Sequence, residues 1–317
     1  MRVAVLYGGT SSERPVSIKT GKSIIKYINS KRHDVVPMDF DGNFKDLIYQ
    51  IKENDINLVF NALHGGDGEN GRLQRKFEKN NIVFTGSGSI ASKNAMDKNK
   101  TKKICLQSNI PTAPWGIINK ENDNYFDILK KIKGDKGNFS VVLKPINEGS
   151  SFDLFIIDSP LNSVGRASDE FKNYHMLLLN KYGSYMIELF IKGRELTVSI
   201  IGDKILPVVE ILPKNNFYDY ESKYSVGMSD YIVPANLDDD ILAEINFQVM
   251  RLYKKIGCRH YGRVDLRFDI NNCIKILELN TLPGMTDTSL LPKAANSYGI
   301  NYSELVKKII KLATSYE

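Results

Sequence analysis

The chain has 317 residues, 42% apolar and 25% charged, with 43 lysines and arginines against 37 aspartates and glutamates for a net charge of +6. That length predicts about two domains, or three small ones, and the ordinary composition excludes a disordered or fibrous protein. Basic residues such as Lys98, Lys100, Lys102 and Lys103 form no aromatic-interleaved stripe, so no nucleic-acid partner is expected, and Cys105, Cys258 and Cys273 lack paired metal spacing, which suits a reducing compartment.

Residues 1–6 lead directly into a strand and no apolar run nears membrane-spanning length, so the expectation is a cytoplasmic protein with no signal peptide and no membrane partner. The apolar run 2–6 ends at a glycine turn, and Val16, Ile18, Ile24, Ile25 and Ile28 then recur at helical spacing, which is how a parallel α/β domain begins. Strands are predicted at 34–38 and 57–62 with a helix over 44–53 between them. The first part should finish near Met96. A helix over 98–108 is broken by Pro111 and Pro114, and a new sheet starts at 115–118. Residues 140–144 and 152–157 read as antiparallel strands around Glu148-Gly149-Ser150-Ser151. A third part begins near Ser184, with strands at 186–188 and 194–201, a long helix over 238–256 and a closing amphipathic helix marked by Leu305, Val306, Ile309, Ile310 and Ala313.

Residues 261–269 and 274–279 alternate in polarity around Ile270-Asn271-Asn272-Cys273, a hairpin signature. Residues two apart on a strand share a face, so Arg263 projects with Asp265, and Glu278 with Asn280. Carboxylate and amide oxygens suit Mg²⁺ or Mn²⁺ and not zinc, and the arginine suggests an anionic phosphate nearby. By themselves these residues also fit a surface hairpin with solvated charges. The loop Asn280-Thr281-Leu282-Pro283-Gly284-Met285-Thr286, running into Ser289-Leu290, brings backbone N–H groups and hydroxyls beside them.

This segment resembles the end of the ATP-grasp domain of the D-alanine–D-alanine ligases, and four more blocks resemble that family in order: Tyr7 to Ser17, His64 to Gly71 with Gln74, Lys144 to Ser151, and Phe217 to Tyr224. The resemblance covers essentially the whole chain. It implies an α/β protein with an N-terminal parallel α/β domain (1–96) followed by a two-part ATP-grasp fold of α+β character (97–183 and 184–317). It also implies an ATP-dependent ligase that joins two D-alanines through an acyl phosphate for peptidoglycan precursor synthesis, and a homodimer meeting through its N-terminal domain.

Residue by residue, the resemblance implies that Lys98 and Lys144 meet ATP phosphates, that Ser150 and Ser151 lie over them, and that Lys223 belongs to the nucleotide-binding set from a mobile loop. Glu188, Leu189, Phe190 and Ile191 would read the adenine edge and Glu195 would hold the ribose. Asp265, Glu278 and Asn280 would ligate Mg²⁺ or Mn²⁺. Glu13 would bind the first D-alanine's ammonium, with Val16 and Ser17 beside it and His64 near its carboxylate, while Ser150 and Tyr224 hydrogen-bond with Glu13 across the cleft. Arg263 and the N–H of Gly284 would stabilise an oxyanion, and Ser289 and Leu290 would take the second substrate's carboxylate. A segment over 217–234, carrying Lys223 and Tyr224, would close over the site.

One stretch departs from the family pattern: Phe152, Asp153 and Leu154 follow the two serines, where the family places a small aliphatic residue and then glycine. An aspartate beside triphosphate would be repelled by like charge. Other readings are a D-alanine–D-serine ligase, a D-lactate-using relative, which is expected to carry a histidine in the closing segment where 217–234 has none, and a nucleotide-binding protein with impaired catalysis. A dinucleotide-binding dehydrogenase fits poorly, because residues 7–12 lack the G-x-G-x-x-G spacing.

Overall fold

The computed structural model describes residues 1–28, 32–121, 124–134, 137–149, 152–161, 166–213, 229–269, 271 and 273–315. Ser150, Ser151, Lys223, Tyr224 and most of the segment expected to close over the site lie outside the described residues.

The first strand, β1 (Arg2–Gly8), pairs in parallel with β2 (Asp34–Phe40) and β3 (Leu58–Asn61), and α1 (Arg14–Tyr27) and α2 (Phe44–Glu53) make the crossovers. Ala4 and Leu6 face a core with Leu47, Ile51, Leu73 and Phe77, while Val3 and Val5 face Leu305, Val306 and Ile309 from the far end of the chain. Burial on both faces is why β1 reads as an unbroken apolar run. Three short helices follow, α3 (Gly66–Glu69), α4 (Arg72–Lys79) and α5 (Ser89–Met96), and then α6 (Lys98–Gln107), capped by the Asp97 side chain accepting from Lys100 N at 3.0 Å.

The middle of the chain gives β4 (Trp115–Asn119), α7 (Tyr125–Lys133), β5 (Ser140–Lys144), β6 (Phe155–Asp158), α8 (Asp169–Tyr182) and β7 (Ser184–Leu189). These strands form an antiparallel sheet of order β4-β7-β5-β6. Residues 186–188, read from sequence as the opening of the third part, lie inside this sheet, and sheet membership changes between Leu189 and Gly193. Val141, Leu143, Ile157, Tyr185 and Ile187 pack on α7 and α8. Residues of opposite parity, Val142, Lys144, Ile156 and Glu188, therefore point to the face away from α7 and α8, where they line a cleft.

The remaining elements are β8 (Gly193–Ile201), β9 (Lys204–Ile205), β10 (Val209–Pro213), β11 (Ser229–Ile232), α9 (Asp239–Ile256), β12 (Tyr261–Asp269), β13 (Ile274–Asn280), α10 (Leu290–Ser297) and α11 (Tyr302–Thr314). Their strands run β11-β10-β8-β12-β13 with β9 beside β8. Leu196, Val198, Ile200, Val264 and Leu266 pack against Ile245, Val249 and Leu252 of α9 and against Ala91, Ala95 and Cys105 of α5 and α6. The opposite face of this sheet meets the four-stranded sheet across the cleft.

A β-bulge decides what reaches that cleft. Ile276 pairs with Leu266 and Glu278 with Asp265, so Leu277 is an extra residue in β13. Strict alternation would put Ile274, Ile276, Glu278 and Asn280 on one face. The bulge reverses the parity, so the two isoleucines enter the core and the two polar side chains join the cleft.

Candidate functional site

Two compartments meet at Arg263, Glu278, Gly149 and Leu290, which line both. The inner one lies between the two sheets and has apolar walls from Val142, Phe152, Leu154, Ile156, Leu189, Phe190 and Ile191. The outer one is bounded by Glu13, Val16 and His64 of the first domain and by the loop from Asn280 to Leu290.

At the junction, register sets Arg263 opposite Asn280 and Asp265 opposite Glu278. Arg263 donates through Nε and Nη2 to both Asp265 oxygens at 2.8 Å each, Thr197 Oγ1 donates to Asp265 at 2.6 Å, and Asn280 Nδ2 donates at 3.1 Å. Lys98 Nζ lies 3.4 Å from Glu278 Oε2 and donates to Glu148 O at 2.5 Å. Two carboxylates and an amide thus stand side by side, a set of hard oxygen donors that fits Mg²⁺ or Mn²⁺, with two cations beside them.

On the facing wall, Lys144 and Lys102 pair with different oxygens of the buried Glu188. Burial opposes the Glu188 charge, but the two ammoniums outweigh it and hold its carboxyl below the usual range. Lys102 also donates to Thr112 Oγ1 at 2.7 Å and to Ala113 O at 3.1 Å. Neighbouring backbone is committed as well, since Leu189 N donates to Pro114 O and Phe190 N to Ser140 O. Glu195 accepts from Arg267 Nη2 at 2.6 Å, and the Arg267 guanidinium lies 5.0 Å from the centre of the Phe190 ring.

In the outer compartment Glu13 is buried at the start of α1, and loops from two lobes close on it. A Cβ on Gly65 (φ +65°) would lie 2.7 Å from its carboxylate, and one on Gly149 3.5 Å away. His64 Nε2 is 2.9 Å from Thr20 Oγ1, and its Nδ1 is 3.6 Å from Glu69. Ser289 Oγ accepts from Thr286 N at 3.0 Å and folds the loop back so tightly that a Cβ on Gly284 would come within 2.8 Å of it.

Lys98, Lys144, Glu188 to Ile191, Glu195, Arg263, Asp265, Glu278, Asn280, Glu13, Val16, His64, Gly284, Ser289 and Leu290 all line one compartment or the other. Ser17 does not: it is fully buried, accepting from Gly8 N at 2.9 Å and donating to Ala62 O at 2.8 Å, so its hydroxyl ties β1 to the end of β3. Asp153 turns away from the cleft, accepting from Lys181 Nζ at 2.6 Å and from the Tyr182 hydroxyl, so the like-charge repulsion expected from sequence does not arise there. Sequence reasoning missed Lys102, although its i, i+4 spacing from Lys98 put both on one helix face. It also missed Arg267, two residues beyond Asp265 and hence on the same strand face.

The geometry offers an apolar slot for a flat ring, a row of cations for an anionic chain, hard oxygens for a divalent ion, and a second polar chamber reaching the same arginine. Comparison with known proteins agrees across the chain. The family profile described as D-ala D-ala ligase C-terminus matches residues 104–311, and that described as D-ala D-ala ligase N-terminus matches residues 2–50. The chain is 39% identical over 310 residues to the D-alanine–D-alanine ligase of Aquifex aeolicus, covering 98% of this chain and 100% of that one. Its structure resembles the D-alanine–D-alanine ligase of Bacillus anthracis with a TM-score of 0.86 at 35% identity, covering 99% and 98% of the two chains. The same organism's ligase complexed with ATP gives 0.85 at 33% identity with the same coverage. The chain belongs to the D-alanine–D-alanine ligase family, and its fold is an N-terminal parallel α/β domain followed by a two-part ATP-grasp fold.

Proposed function

We propose that the protein uses ATP to join two D-alanines into D-alanyl-D-alanine, releasing ADP and phosphate, in the cytoplasm of a cell that builds peptidoglycan from the dipeptide. The observation that carries the reading is the single face on which Arg263, Asp265, Glu278 and Asn280 meet, at the junction of an apolar slot and a polar chamber.

Forming an amide from a free carboxylate is uphill in water, so the first D-alanine's carboxylate takes the γ-phosphoryl group of ATP and becomes an acyl phosphate. The amine of the second D-alanine attacks that carbonyl, a tetrahedral oxyanion forms, and the C–O bond to phosphate breaks as the amine's proton is lost. Adenine would sit between the apolar walls, meeting the backbone of the segment from Glu188 to Ile191, with Glu195 at the ribose. Lys98 and Lys144 meet the phosphates. Glu13 and His64 hold the first D-alanine, with Val16 as its apolar neighbour, and Ser289 with Leu290 holds the second carboxylate. Arg263 and the Gly284 N–H receive the oxyanion's charge, where losing one donor commonly costs about a hundredfold in rate. Asp265, Glu278 and Asn280 would hold Mg²⁺ or Mn²⁺, which when bound offsets phosphate charge. The chain's own contribution is chiefly positioning. Ser150, Ser151, Lys223 and Tyr224 keep the roles the resemblance implies as proposals, as do a first domain ending at 96 and a homodimer meeting through it; a division at 183 would have to leave β7 in the sheet of the middle part.

Measuring phosphate release from ATP with D-alanine, D-serine and D-lactate offered in turn tests the reading. Release and dipeptide with D-alanine alone are expected; preference for D-serine as the second substrate would move the assignment to a D-alanine–D-serine ligase, and no release with any of them would remove it. Glu278→Gln is expected to lower kcat by about a thousandfold or more with an unchanged melting temperature, and wild-type turnover in that variant would dismiss the metal assignment.

A further inference from the structure

The stretch that departs from the family pattern has an ordered place. Counting back from β6, Phe152, Leu154 and Ile156 face the inner compartment, and Asp153, Phe155 and Ile157 face α8. Each member of the second row has a partner there or in the core. Ile157 is fully buried, the Phe155 ring stacks on Tyr174 with centroids 4.0 Å apart, and Asp153 accepts from both Lys181 and Tyr182 at the end of α8. Asp153 holds a left-handed backbone (φ +50°), a conformation that costs a non-glycine residue about 1 kcal/mol unless its surroundings fix it. Just before it, Phe152 N closes a turn onto Gly149 O at 3.2 Å, and Gly149 itself borders both compartments.

From this geometry we infer that Asp153 is a positioning residue for the nucleotide: anchored to Lys181 and Tyr182, it fixes the parity of the segment and holds Phe152 as a wall of the inner compartment. The inference rests on the ATP reading of that compartment. The Asp153 carboxylate lines neither compartment and is paired with Lys181. It trades the freedom of the usual glycine for a tether to α8, and the tether keeps an aromatic ring where that glycine pattern has a small side chain. Because Lys181 is largely exposed, the pair is a modest one and the effect of breaking it is modest too.

Calorimetric titration of the full-length protein with a non-hydrolysable ATP analogue and Mg²⁺ reads the tether without requiring turnover. Asp153→Gly keeps the left-handed backbone and removes the anchor; Lys181→Met removes one donor and touches nothing in the cleft. Asp153→Gly is expected to weaken analogue binding about fivefold and Lys181→Met, which leaves the Tyr182 bond, about threefold, each raising the KM for ATP in step with the KM for D-alanine unchanged. The double variant should bind like Asp153→Gly alone, because both changes cut one tether. Phe152→Ala should weaken binding similarly, and adding Asp153→Gly to it should cost nothing further. Analogue binding within twofold of wild type in both Asp153→Gly and Lys181→Met overturns the inference and leaves the ligase reading standing, as does a lowered melting temperature with unaltered binding. A wild-type protein that fails to bind the analogue overturns both.

Discussion

Arg263, Asp265, Glu278 and Asn280 come from one hairpin, whereas Lys102, Lys144 and Glu188 on the opposite wall of the cleft come from α6, β5 and β7. In the hairpin cluster the side chains are only partly buried and bond to one another within a single hairpin, Arg263 to Asp265 two residues along β12 and Asn280 to Asp265 across the pair of strands. In the other, Lys102 and Glu188 are sealed from solvent, and the pairing of Glu188 with both Lys102 and Lys144 joins three segments. A ligand can replace the partners of the first set, because water and ions already compete for those charges. The second set cannot exchange partners, since a charge stranded there would cost several kcal/mol. One cluster is therefore suited to chemistry and the other to holding the cleft's shape and presenting Lys144 at its edge.

Asp265→Ala breaks the comparison most severely. It removes the carboxylate that Arg263, Thr197 and Asn280 share, one of the proposed donors to the divalent ion, from a cluster that is only partly buried. A fall in kcat of about a thousandfold or more with little change in denaturant unfolding is expected, and turnover within tenfold of wild type would show that the hairpin cluster is not the reactive one. Next is Glu188→Leu, which leaves Lys102 and Lys144 facing each other without a counter-ion. A loss of about 3–5 kcal/mol is expected in denaturant unfolding, and Lys102→Met added to it should recover part of that loss. If Glu188→Leu alone unfolds like wild type, the buried cluster has no structural role.

The smallest effect sharpens the contrast through pH. His260 is buried with φ +65° and accepts from Gly86 N at 3.1 Å, tying the first domain to the start of β12. Burial, helped by Arg259, pushes its pKa down to about 4 from an ordinary value near 6.5. Between those values the unfolded chain binds the proton and the folded chain does not, so stability falls as pH drops. The contribution is about 3 kcal/mol, complete above pH 6.5 and gone near pH 4. Asn tolerates the left-handed backbone, so unfolding of His260→Asn should show a correspondingly weaker acid dependence. An identical pH profile in the two proteins would refute the assignment.

Much of the fold was legible because helices with one buried face repeat at 3.6 residues and a strand buried on both faces reads as an apolar run: α1, α2, α6, α9 and α11, with β1 and β8, appear close to where the sequence puts them. The helices over 125–133 and 169–182 were not read from the sequence, although Asn124 and Ser168 each cap their helix in the usual way. The strand at 184–189 was legible as a strand but not by its sheet, because its pairing with β4 and β5 is set by residues far upstream, from Trp115 opposite Glu188 to Lys144 opposite Met186.

For the candidate site, residue types and order in the chain were enough to single out Arg263, Asp265, Glu278 and Asn280, since all four lie on one hairpin and local alternation brings them together in pairs. The sequence alone could not show that the two pairs share a face. That followed from the bulge at Leu277, a mismatch in how β13 fits β12 once Ile274 and Ile276 have entered the core. Nor could it show that Asp153 points to α8 or that Lys102 lies under Glu188. A side chain's type is written in the chain, but the charge it meets depends on which distant segment the packing of the cores brings against it.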